Sequence, residues 1–91
     1  MPDELQQRLA KLAEVERRLK AEVDDARIKY DRANRRFGVE SARAYELGLA
    51  TVDGAHALRQ ASKEQTVATE AYGRAVERFC NLILYGKMPV D

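Results

Sequence analysis

A heptad repeat in the first half of the chain is the feature that most limits what this sequence can fold into. Ten positions are spaced alternately by four and three residues, and nine of the ten are apolar. They are Leu5, Leu9, Leu12, Glu16, Leu19, Val23, Ala26, Tyr30, Ala33 and Phe37. Such spacing draws one seam along an α-helix and is typical of a coiled coil, whereas a strand would alternate by two. We therefore predict one helix over about residues 3–47, continuing through Gly38 with or without a bend there.

A second helix is predicted over about residues 52–85. Its bulky seam consists of Ala55, Leu58, Ser62, Gln65, Thr69, Tyr72, Val76, Phe79 and Ile83. A line of mostly small residues runs beside it: Ala57, Ala61, Glu64, Ala68, Ala71, Ala75, Arg78 and Leu82. The alanines suit either a close helix–helix contact or simply a half-exposed face of high helix propensity.

The connection between the helices is predicted to be a short turn over residues 48–51. Gly48 is placed to end the first helix, and Thr51 to cap the second. Gly86 is placed to end the second helix, and Pro89 follows in a tail of residues 86–91. Because the connection is short, the helices should be antiparallel neighbours within one domain, 1–91.

The predicted fold class is all-α, a long antiparallel coiled-coil-like hairpin that dimerises into a four-helix bundle. With residue i facing about residue 99 − i, three leucines near the N-terminus extend beyond the second helix. A second copy would cover them, so we expect a homodimer. The predicted oligomer interface comprises Leu5, Leu9, Leu12, Leu19, Val23, Tyr30, Phe37, Tyr72, Val76, Phe79 and Ile83.

Composition and targeting signals exclude several classes of protein. The 91 residues carry a net charge of +1 and a single cysteine, which gives no disulfide framework and no global attraction to nucleic acid. The N-terminus has no apolar stretch of a secretory signal, and no run approaches the ~20 apolar residues of a membrane span. We expect a cytoplasmic protein without membrane contact.

A basic stripe is the strongest local charge bias. It consists of Lys29, Arg32, Arg36 and Arg43, which share one face at helical spacing. The stripe is either a solvated helix face with local ion pairs or, in the alternative function, the contact surface of a small nucleic-acid-binding accessory protein. Nucleic acid is the less favoured partner, because basic runs on helices are common and the global charge of the chain is balanced.

A metal or redox bundle is the second alternative. Asp53 and His56 have the i, i+3 spacing of a carboxylate–histidine pair, but they lack the further ligands that a metal site needs. Cys80 has no activating partner fixed by a motif and is expected to be a buried or half-buried small apolar residue. We therefore predict no catalytic residue, no cofactor and no metal.

The leading functional prediction is a non-enzymatic structural or protein-interaction module. It would self-associate through its heptad seams, and a remaining apolar or charged face would bind a protein partner whose identity the sequence does not give.

Overall fold

The computed structural model describes residues 2–47 and 52–89. Its two elements are helix α1 (Pro2–Leu47) and helix α2 (Val52–Tyr85). Pro2 suits the first position of a helix, where its missing N–H is not needed, and Asp3 lies in the first turn. Helix α1 continues through Gly38 as expected. The predicted turn, with Gly48 and Thr51, lies outside the described residues.

The two helices pack antiparallel as a hairpin, which confirms the all-α fold class. Three side-chain pairs across the interface fix the register: Asn34 with Gln65, Arg36 with Glu64, and Glu22 with Arg78. Each pair lies within one position of the predicted register. The molecule is a rod of 71 × 18 × 16 Å.

The core of the hairpin is thin and lies along its seam. Val15, Leu19 and Leu82 form a buried cluster against which Phe79 packs. The other buried apolar side chains within the described residues are alanines: Ala44, Ala61 and Ala75. Along α2, between Ala61 and Ala75, Tyr72 meets Tyr30 of α1, with the two ring centroids 5.2 Å apart. Alanines bring the backbones close but bury little apolar area, so the stability gained per turn is modest.

The inward face of α1 differs from the predicted seam at one position. Glu16 is exposed, and Val15 takes the buried place next to Leu19. Val15 and Leu19 are four residues apart and therefore share a face. A helix of 3.6 residues per turn also drifts from a strict heptad, which moves the buried face toward residue 15.

The inward face of α2 combines the two lines that the sequence suggested separately. It alternates bulky and small residues as far as Phe79 and ends with a further bulky residue: Leu58, Ala61, Gln65, Ala68, Tyr72, Ala75, Phe79 and Leu82. Ser62, Thr69 and Ile83 are exposed, so these three positions of the predicted seam do not face α1. The alanine line therefore provides a close helix–helix contact at Ala61 and Ala75.

Helix α2 ends at a glycine cap, as predicted. Gly86 has φ of +65°, and its N–H donates to the Leu82 carbonyl oxygen at 2.9 Å. The Lys87 N–H donates to the Asn81 carbonyl oxygen at 3.1 Å. These bonds satisfy two carbonyls that the end of the helix would leave free.

Candidate interaction site

The N-terminal part of α1 extends past the end of α2. We call residues 3–14 the overhang. Helix α1 has 46 residues and α2 has 34, so the first turns of α1 have no helix opposite them. Every side chain in the overhang is exposed, including the leucines at positions 5, 9 and 12. The overhang therefore presents an apolar stripe to solvent, as the register predicted.

More exposed apolar side chains gather at the same end of the rod. Ile83, Leu84, Tyr85 and Met88 are all exposed, and the register places them beside the base of the overhang. Contiguous apolar patches mark interaction sites more often than scattered residues do. This end of the molecule is thus the strongest candidate for contact with another protein.

A groove between the two helices forms a second surface, which sequence reasoning did not predict. It has a volume of about 670 Å³ and is open to solvent. Its apolar lining consists of small side chains: Ala26 and Ala33 come from α1, and Val67, Ala68 and Ala71 come from α2. Small side chains leave a shallow channel in which another helix can approach closely.

The borders of the groove are basic. Lys29, Arg32 and Arg36 come from α1, and Lys63 comes from α2. The groove also contains two carboxylates. Asp25 pairs with Lys29 at 3.1 Å, and both Glu64 carboxylate oxygens accept from Arg36 Nη1 at 2.8 Å. With four cations and two anions, the groove keeps a net positive charge.

The predicted interface residues fall into three groups. Leu19 is fully buried inside its own hairpin. Four are exposed: Leu5, Leu9, Leu12 and Ile83. Six are half-buried along the helix–helix seam: Val23, Tyr30, Phe37, Tyr72, Val76 and Phe79. The exposed group supplies a surface that is fully accessible to a second chain, and the oligomer interface itself stays a prediction.

The basic stripe is divided by the fold. Three of its members border the groove, whereas Arg43 lies beyond it and faces Glu40 at 3.7 Å. Lys29 and Arg36 also have carboxylate partners. The ion pairs agree with a solvated helix face, and binding of nucleic acid stays untested.

The residues considered for metal and thiol chemistry are dispersed. Asp53 and His56 are both exposed, and no group of three or more His, Cys, Asp or Glu suited to a metal occurs within 2–47 and 52–89. Cys80 is exposed, so the expectation of a buried or half-buried cysteine was wrong. It directly follows Phe79, and the next residue along a helix turns about 100° away from the seam.

Comparison with known proteins gives no relative for this chain: no family model, no curated protein and no solved structure matches it. In the helices as described, neither is long and apolar enough to cross a membrane.

Proposed function

We propose that this chain is a non-enzymatic structural or protein-interaction module that acts as a homodimer. The observation that carries the proposal is the concentration of exposed apolar side chains on the overhang and at the adjacent end of α2. A surface of this kind is rarely left in water by a monomer.

The total surface of the chain supports association. A compact monomer of 10.3 kDa exposes about 5,400 Å², whereas this rod exposes 7334 Å². The excess of roughly 2,000 Å² is well above the ~800 Å² per partner of a standard interface. A second copy packed along the rod would cover surface that the hairpin cannot cover by itself.

The free energy of association can be estimated from the leucines of the overhang. Full burial of one leucine stabilises a complex by about 1.5–3 kcal/mol. Replacing Leu5, Leu9 and Leu12 together by glutamine, which has similar helix propensity, should therefore weaken the dimer by roughly a thousandfold or more.

Multi-angle light scattering and sedimentation equilibrium on the whole chain test the proposal. We expect a dimer at micromolar concentration, and a monomer of similar helicity for the triple glutamine variant. Val39→Gln is a control of matched exposure, because Val39 and Leu9 are both 57% exposed, but Val39 lies outside the overhang. A fully helical wild-type monomer at these concentrations would contradict the proposal.

A further inference from the structure

We propose that in the dimer the overhang of each copy lies in the groove of the other. This inference rests on the proposed homodimer and names the two surfaces that meet. Among the described residues, the overhang has a stripe of three exposed leucines with no helix opposite it, and the groove has an apolar floor with no occupant.

The two surfaces have the same length. The overhang extends over residues 3–14, and the groove is lined over residues 25–36 of α1 and 60–71 of α2. At 1.5 Å per residue each of these segments is about 17 Å long. One overhang therefore fills the groove from end to end.

The side chains of the two surfaces are complementary in size. The overhang presents three leucines on one stripe, whereas the groove presents four alanines and a single valine. Large side chains on one helix pack between small ones on its neighbours, as ridges fit into grooves. An occupant with small side chains would leave the channel partly empty.

The charges of the two surfaces are also complementary. The overhang carries three acidic residues, Asp3, Glu4 and Glu14, against two basic ones. The groove has the opposite excess, with four basic side chains against two acidic ones. Opposite charge at the edges of an interface guides association and fixes the register more than it adds affinity.

A two-fold axis allows both overhangs to dock at once. If α1 packs antiparallel to the partner α1, with residue i facing about residue 39 − i, Leu9 reaches the middle of the partner groove. The last turns of the two α2 helices, which carry Ile83, Leu84 and Tyr85, then lie near each other at the centre. Because each contact is made twice, the assembly closes as a dimer.

Thiol cross-linking between two different chains tests the contact. Both chains carry Cys80→Ser, and one also has Leu9→Cys while the other has Val67→Cys. Val67 lines the groove and is 64% exposed; Val39 is 57% exposed and lies outside it, so Val39→Cys is the matched control. With a short bis-maleimide, we expect the Leu9–Val67 pair to give a covalent dimer in several-fold higher yield than the Leu9–Val39 pair.

A second pair of variants tests the groove without cross-linking. Val67→Arg places a bulky side chain in the groove, where it blocks close approach of the overhang, and should raise the dimer dissociation constant at least about tenfold. Val39→Arg should leave the dissociation constant nearly unchanged. Both positions are exposed, so the helicity of both variants should match the wild type.

The outcomes separate this inference from the proposed function. A stable dimer with equal cross-linking at positions 67 and 39, or with equal effects of the two arginine variants, overturns the docking of the overhang and leaves the homodimer standing. A wild-type monomer in light scattering overturns both.

Discussion

Leu19 and Leu9 occupy the same kind of seam position in one helix but have opposite environments. Leu19 is fully buried against α2, whereas Leu9 is 57% exposed on the overhang. The difference comes from the length of α2 and not from anything local to either leucine. Heptad spacing therefore indicates which face of a helix packs against another helix. That other helix can belong to the same chain or to a different one.

The two regions of α1 also differ in how their helical conformation is stabilised. Nearly every residue of the overhang is a strong helix former: Ala, Leu, Gln, Glu, Lys or Arg. The region opposite α2 contains weaker ones, among them Val23, Ile28, Asn34 and Gly38. Packing stabilises that region, whereas a helix without a neighbour depends on intrinsic propensity.

Alanine replacement of the two leucines should give the largest difference between the regions. Leu19→Ala removes a fully buried side chain and should lower the free energy of unfolding by about 2–5 kcal/mol. Leu9→Ala in the monomer should change it by less than about 0.5 kcal/mol, because the side chain is already in water. Urea unfolding followed by circular dichroism, at protein concentrations below the dimer dissociation constant, measures both values. Equal losses would show that the overhang packs on its own hairpin.

A polar pair inside the seam should give an intermediate effect. Gln65 Nε2 donates to Asn34 Oδ1 at 2.8 Å, and both side chains are half-buried. Gln65→Leu leaves the Asn34 amide without this partner and should lower the free energy of unfolding by about 1 kcal/mol. Replacing both residues by leucine should recover most of the loss.

The overhang supplies the control for that pair. Gln7→Leu should have almost no effect on unfolding of the monomer, because Gln7 is exposed. If Gln65→Leu is equally silent in the same urea titrations, the hydrogen bond between Gln65 and Asn34 contributes nothing to the free energy of unfolding.

Glycine and alanine exchanges should give the smallest effect. A Cβ at Gly38 would meet nothing within 4 Å, so Gly38→Ala should raise the free energy of unfolding by about 0.5–1 kcal/mol. Ala10→Gly should instead leave the unfolding midpoint unchanged and lower only the helical signal, since we expect a helix end without a neighbour to open independently of the rest. Circular dichroism and amide hydrogen exchange distinguish the two outcomes. A lowered midpoint for Ala10→Gly would mean that the two regions unfold as one unit.

The sequence was sufficient to predict the two helices, their register and the exposed leucines, because these depend on periodicity and on the lengths of the segments. It was not sufficient to choose between Val15 and Glu16, or between the two lines of α2. Those choices depend on how the helices rotate about their axes to fit each other, and neighbouring residues on a helix differ little in the local signals that they carry.

The groove was missed for a related reason. Its lining comes from two segments far apart in sequence, and no single stretch contains the pattern. The signal was present in two parts, the basic stripe of α1 and the alanine line of α2. Only the register brings the two parts together, because it places Ala71 across from Lys29 and Ala68 across from Arg32.

The elongated form of the hairpin determines how it diffuses. Its radius of gyration is 19.7 Å, which a compact globular protein reaches only at roughly 300 residues. A single chain will therefore tumble more slowly, and elute earlier from a sizing column, than a globular protein of the same mass. Elution volume alone would overestimate the molar mass of this rod, because it reports hydrodynamic size. The intensity of scattered light reports the molar mass itself and therefore gives the number of chains.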